Sequence, residues 1–169
     1  NNLKIINDTI GHKAGDELLQ SVSALLQNAF SHSHVYRVGG DEFVVFLKDL
    51  DYKNRMELFD SIRQTIIDNQ NNGDGPVVAM GMSIYMNGTD KNISDVFKRA
   101  DELMYDDKKT LKMNVARNTI KYSGNENIKK IPAIRKSRLD SFFKVFKMAS
   151  GKGNIFFCDI RYDLSRWDK

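Results

Sequence analysis

A single cysteine, Cys158, stands among the 169 residues. That excludes an internal disulfide framework and fits a reducing compartment, so a cytoplasmic location is expected. No apolar run approaches the ~18 residues that a membrane-spanning helix needs, and any membrane contact is expected to run through other parts of a longer protein. Neither a signal peptide nor an initiator methionine opens the chain. It starts on "NNLKII", and the expectation is a segment cut from a longer protein. No internal repeat relates the two halves. The excess of one charge sign is small, 26 Lys+Arg against 22 Asp+Glu, a net +4. This permits anionic partners such as nucleotides but falls short of a nucleic-acid signature, and no nucleic-acid partner is expected.

What is present is a core-forming domain. Hydrophobic residues make up 41% of the chain, which argues against disorder throughout, and the length suits one domain with an appendage. Residues 2–9 read as a short helix and "TIGHKAG" as a loop. An amphipathic helix follows, with Leu18, Val22, Leu25 and Ala29 in one stripe, Leu19 and Leu26 beside it, and Asp16 and Glu17 in its first turn. Two strand-like runs, 34–38 and 43–48, form a hairpin. A second helix over 54–69 turns Met56, Phe59, Ile62 and Ile66 to one side, and "NNGDG" ends it. "VVAMGMSIYM" (77–86) reads as a buried strand. Ser94 is the expected N-cap of a third helix with Val96, Ala100 and Leu103 inward and Phe97 and Met104 alongside. Beyond it, "YSGNENIKKIP" reads as a linker, "SRLDSFFKVFKMA" as a short helix and "NIFFCDIRY" as a strand whose aromatics have no evident partner.

The hairpin tip poses the chemical question. Gly39, Gly40, Asp41 and Glu42 put two repelling carboxylates on a flexible turn. A solvated tip with turn-favouring residues accounts for this as well as a ligand site does. The second reading rests on chemistry: Mg²⁺ takes hard oxygen ligands, one or two carboxylates with substrate phosphates and water, and glycines let a ligand approach the backbone. "IINDTIGHKAGDELL" (5–19) adds Asn7, Asp8, Gly11, His12, Gly15 and Asp16. An amide can meet guanine O6 and N7, and a carboxylate N1–H and N2–H; each residue alone also suits a cap or turn. Lys108 and Lys112, one turn apart, could hold triphosphate oxygens or serve as an ordinary cationic last turn.

Together these stretches resemble the GGDEF family, the diguanylate cyclases of bacterial second-messenger signalling. "RVGGDEF" (37–43) is intact, "NNLKIINDTIGHKAGDELL" is similar to the segment leading into the family's long helix, "VVAMGMSIY" to its later strand and "RADELMYDDKK" to its final helix. The resemblance covers residues 1–122. It implies an α/β (α+β) fold, a palm-like mixed sheet flanked by helices as in nucleotide cyclases. It also implies the condensation of two GTP into cyclic di-GMP with release of pyrophosphate, on Mg²⁺ or Mn²⁺, by a homodimer of such domains. Carried over by position, Asp41 and Glu42 would hold the metal and act in catalysis. Gly39 and Gly40 would admit the nucleotide, Asn7 and Asp16 would read guanine, and Lys4, Lys108 and Lys112 would approach the phosphates.

Departures from the family pattern carry expectations of their own. The family's first, central strand and its metal-binding Asp precede the point where this sequence opens, so the segment alone is expected to be nearly inactive. "FSHS" (30–33) stands where the family has its RxxD product-inhibition motif, and no feedback site is expected. "TLKMN" replaces "GRN", leaving Lys112 in place of an arginine. Residues 123–136 are expected to be a linker, and 137–169 an extension or the start of a domain resembling the PAS sensors. An alternative function is a regulatory module that binds GTP or cyclic di-GMP without turnover. A purely structural dimerisation domain would leave the paired acids unexplained.

Overall fold

The computed structural model describes residues 2–119 and 154–161. The first two helices are α1 (Asn2–Thr9) and α2 (His12–Ala29), and the hairpin is β1 (His34–Arg37) with β2 (Glu42–Leu47). Then come α3 (Asp49–Lys53), α4 (Arg55–Asn72), β3 (Val77–Ser83), α5 (Ile93–Thr119) and β4 (Asn154–Arg161). The fold is the expected α/β architecture. Its four strands lie in the order β1-β2-β4-β3, and every neighbouring pair is antiparallel.

The strands follow from composition. Phe43 to Leu47 of β2 and Val77 to Met80 of β3 are continuous apolar runs, and each of these residues is buried. Such runs belong to a sheet covered on both faces, whereas alternation marks a half-solvated one. α5 lies against β3 and β4, α2 against β1, and α1 against α2 and β4. The core between these layers holds Ile6, Val22, Leu26, Phe30, Ile66, Phe97 and Met104.

α5 sits so close to β3 that only a hydrogen fits between them at Gly81. A Cβ there would lie 2.0 Å from the Ala100 carbonyl oxygen and 2.5 Å from the Met104 nitrogen. Among the described strands β3 lies at the edge, and its Met80 N–H donates to Asp107 Oδ2 at 2.7 Å. That carboxylate also pairs with Arg63 of α4 at 2.8 Å. One acid thus satisfies an edge amide and ties α4, α5 and β3 together.

Several local expectations are corrected. α2 begins at His12, three residues before the end of the expected loop, so its first turn contains no acid and Asp16 and Glu17 fall in the second. Gly11, at φ 109°, makes the sharp break from α1. Asn92, not Ser94, caps α5: its Oδ1 accepts the Ser94 N–H at 2.9 Å, while Asp95 reaches back to the Lys91 N–H. The inner face of α5 runs through Val96, Phe97, Ala100 and Met104, and Leu103 is exposed. Met56 is exposed too, because the inward residues of α4 are Ile62 and Ile66. β3 ends at Ser83, and Ile84, Tyr85 and Met86 face solvent. The "NIFFCDIRY" strand, expected to lack a partner, pairs on both sides between β2 and β3. The expected linker and short helix before it lie outside the described residues.

Beyond β3, Asp90 anchors the return to α5. Its side chain is 1% exposed and receives both terminal nitrogens of Arg99 and the Met86 N–H. The hydrogen bond from Arg99, then that from Met86, hold the Asp90 carboxyl below its ordinary range, against the opposing effect of burial. A depressed folded-state pKa stabilises the fold above the unfolded value and loses that contribution as pH falls through the folded one. We therefore expect Asp90→Asn to lower the urea midpoint at pH 7, and the gap from wild type to narrow below about pH 4. A gap independent of pH would contradict the ionic role.

Candidate active site

The hairpin positions the paired acids. Val38 N–H donates to the Glu42 carbonyl at 2.9 Å and closes the ladder, so Gly39, Gly40 and Asp41 form the tip. Arg37, the last residue of β1, folds back over that tip. Its Nε donates to the Gly39 carbonyl at 3.3 Å and to the Gly40 carbonyl at 3.1 Å, and its Nη2 to Gly40 at 2.8 Å. A guanidinium fork with several donors fixes turn carbonyls that two glycines would otherwise leave mobile. The sequence reading did not single out Arg37. The available signal was an arginine placed just before a glycine pair on a strand.

The two acids are held differently. Asp41 is only 7% exposed, an unusual position for a turn aspartate, since buried carboxylates need partners. Glu42 opens β2 and is half-buried. Its Oε2 lies 2.7 Å from where a Gly39 Cβ would stand, so the carboxylate curls over the turn into space that only glycine leaves. Along the sheet, Glu42 is in register with Asp159 of β4, and Asp159 with Ala79 of β3. Among the described residues no three His, Cys, Asp or Glu side chains converge as a metal-binding group. Two carboxylates are nevertheless the donor set that Mg²⁺ commonly takes from protein when phosphates and water complete its shell. The residues present fit such an ion.

Asn7 packs on Gly15, the residue before Asp16. A Cβ on Gly15 would sit 1.9 Å from Asn7 Oδ1, so α1 and α2 touch across the Asn7 side chain. Asn7 Oδ1 is buried and has no hydrogen-bond partner among the described residues. Buried polar atoms without partners are rare, and each calls for an explanation. Asp16 is the next residue after Gly15 and is exposed on α2. Lys4 is exposed one turn before Asn7.

The lysines lie on α5. Lys108 is half-buried beside Asp107, which grips the Met80 amide. Met80 is in register with Cys158, and Cys158 with Phe43, next to the tip. Lys108 thus follows the α5 residue that meets β3 at the strand level of Phe43. Lys112 follows one turn later in α5. "FSHS" has structural work: Phe30 is in the core, and the His32 N–H and ring Nδ1 meet the buried Asp51 at 2.9 and 3.2 Å. Among the described residues no helix is long and apolar enough to cross a membrane.

Comparison with known proteins gives this geometry a family. Residues 1–114 match the model described as "Diguanylate cyclase, GGDEF domain". A diguanylate cyclase of Vibrio cholerae is 33% identical over 107 residues, which cover 62% of this chain and 33% of the relative. The diguanylate cyclase DosC of Escherichia coli is 31% identical over 106 residues, 60% of this chain and 23% of the relative. Diguanylate cyclase A of Treponema denticola is 30% identical over 110 residues, 62% of this chain and 29% of the relative. The chain thus spans a third or less of the length of these curated relatives. No solved structure is significantly similar to it. With the match running through α1, α2, the hairpin and most of α5, the chain belongs to the diguanylate cyclase GGDEF domain family.

Proposed function

We propose that this chain is the catalytic domain of a bacterial diguanylate cyclase, binding GTP and a divalent cation, Mg²⁺ or Mn²⁺, at the β1–β2 tip. The observation that carries the reading is Asp41, a buried acid on a glycine turn that Arg37 locks in place. Asp41 and Glu42 would hold the ion, which supplies positive charge against the phosphates and activates the attacking hydroxyl. Gly39 and Gly40 leave the backbone open to the nucleotide. The Asn7 amide nitrogen can donate to guanine O6 and N7 and the exposed Asp16 carboxylate can accept from N1–H and N2–H, while the Asn7 oxygen stays buried against Gly15. Lys4, Lys108 and Lys112 offset triphosphate charge.

One domain presents one GTP. Two facing copies bring the 3′-hydroxyl of each nucleotide to the α-phosphate of the other, and each attack forms a phosphodiester and expels pyrophosphate. The protein's part is positioning and charge neutralisation. The test is to incubate the protein that carries this domain with GTP and Mg²⁺ and to follow cyclic di-GMP and pyrophosphate. Product that vanishes with Asp41→Ala supports the reading. GTP bound tightly but never consumed would overturn catalysis and leave a sensor.

The Asn7–Gly15 contact gives a sharper check. Gly15→Ala suits helix α2 but drives its methyl into the Asn7 amide. We expect the fold to survive and guanine nucleotide affinity to fall about tenfold, roughly one good hydrogen bond. Unchanged GTP affinity would remove Asn7 from the base site.

A further inference from the structure

Asp41 hangs from two peptide planes, and one side chain holds both. The hairpin closes with the Val38 N–H on the Glu42 carbonyl, and Gly39, Gly40 and Asp41 project beyond it. Neither glycine takes a left-handed φ; among the described residues the positive-φ glycines are Gly11, Gly73, Gly75 and Gly88. The torsions of the turn therefore do not call for glycine, and two residues without side chains leave its peptides free to rotate. The Gly39 carbonyl belongs to the peptide plane that ends at Gly40, and the Gly40 carbonyl to the plane that ends at Asp41. Arg37 Nε donates to both carbonyls, at 3.3 and 3.1 Å, and its Nη2 donates again to Gly40 at 2.8 Å. Arg37 is itself in register with Phe43, so the fork springs from the paired end of the hairpin. Its grip sets the direction in which the Cα of Asp41 carries the carboxylate. The Glu42 carboxylate rests on the same turn, with Oε2 2.7 Å from where a Gly39 Cβ would stand.

We propose that Arg37 is a positioning residue for the divalent cation: it fixes the two peptide planes before Asp41, so that the acids of the tip are ordered before the ion arrives. This role deepens the function proposed above and rests on it. Acids on a loose turn would bind only in the fraction of time that the turn holds the right shape, and apparent affinity falls by that fraction. The loss falls on the cation rather than on the base, because Asn7 and Asp16 stand on α1 and α2, outside the hairpin. Arg37 is exposed, and exposed side chains add little to global stability, so removing the fork loosens the tip while the sheet stands. Lysine is not an equal substitute. Its ammonium is a point charge and lacks the planar fork that meets two carbonyls at once.

The test uses the protein that carries this domain, as wild type, Arg37→Ala and Arg37→Lys. Amide exchange at Val38 is followed without cation or nucleotide, and binding of a non-reactive GTP analogue is titrated against Mg²⁺. In Arg37→Ala the Val38 amide should exchange about tenfold faster, with protection in the interior of β2 unchanged. Half-maximal binding should need about tenfold more Mg²⁺, while nucleotide affinity at saturating Mg²⁺ stays within about twofold of wild type. Added ethylguanidinium should restore both readouts to Arg37→Ala, ethylammonium should not, and Arg37→Lys should recover at most part. A merely structural arginine would instead weaken cation and nucleotide binding together. The proposal is overturned if Val38 exchange is unchanged, if the Mg²⁺ requirement does not rise, if nucleotide affinity at saturating Mg²⁺ falls as far as the cation affinity, or if lysine serves as well as arginine. A wild-type protein that binds the analogue without any cation would overturn the proposed function and this role with it. Faster Val38 exchange in Arg37→Ala would then still show that the clamp itself exists, so the two failures are told apart.

Discussion

Asp41→Asn is expected to lower cyclic di-GMP formation by at least ~10²–10³-fold, since removing one anionic ligand of a catalytic cation forfeits several kcal/mol of charge stabilisation. The substitution keeps size and shape, so its effect on folding is small. The amide retains hydrogen-bonding capacity at a site only 7% exposed, and stability should move by about 1 kcal/mol or less. Chemistry lost with the fold retained separates a catalytic acid from a turn former. An aspartate that merely shaped the turn would show the opposite pattern, a lower melting temperature with GTP and Mg²⁺ binding intact. Glu42→Gln belongs to the same test, with a milder effect, because Glu42 is half-buried and its carboxylate lies over Gly39.

Gly81→Ala is expected to be the most destabilising single methyl in the described structure. The added carbon would meet backbone atoms of Ala100 and Met104 at 2.0 and 2.5 Å. Backbone in a packed helix cannot rotate aside as a side chain can, so α5 must retreat from β3 along the interface that buries Phe97, Ala100 and Met104. Overpacking of this kind costs about 3 kcal/mol, or a melting temperature lower by roughly 10 °C in a domain of this size. The shift carries Lys108 with it, and nucleotide affinity should weaken in parallel. A melting temperature within a degree or two of wild type would mean that α5 does not rest on Gly81 as described.

Much of this was legible in the sequence because it is local. Alternating and continuous apolar runs around "GGDE" specify a hairpin wherever they occur, and the glycines specify its tip. The apolar stripe of α2 runs through Leu18, Val22, Leu25 and Ala29 with Leu19 and Leu26 beside it; Leu18, Leu19, Val22 and Leu26 are buried, and Leu25 and Ala29 partly so. The misreadings are where two local options compete. Ser94 and Asn92 are both good caps, and only the hydrogen bond from the Ser94 amide decides for Asn92. Leu103 continues a helical stripe in sequence, but the face of α5 is set by Gly81 beneath Ala100, which rotates Leu103 outward.

What was not legible is non-local. Nothing in "NIFFCDIRY" says which strands it will join, because register is written in its partners as much as in itself. The continuous apolar runs of β2 and β3 say that both faces are covered, not which strand lies between them. At the site, the identities of the acids could be read, but the lock of Arg37 on the Gly39 and Gly40 carbonyls and the seat of Asn7 on Gly15 depend on distances that spacing alone does not give.

The central claim is that the glycine turn carries a divalent ion shared with a guanine nucleotide. Calorimetric titration of the chain with a non-reactive GTP analogue, with and without Mg²⁺, tests it most directly. The account predicts binding that requires the cation, favours guanine over adenine by about tenfold or more, and disappears in Asp41→Asn. Binding indifferent to Mg²⁺, or equal for the two bases, would contradict it.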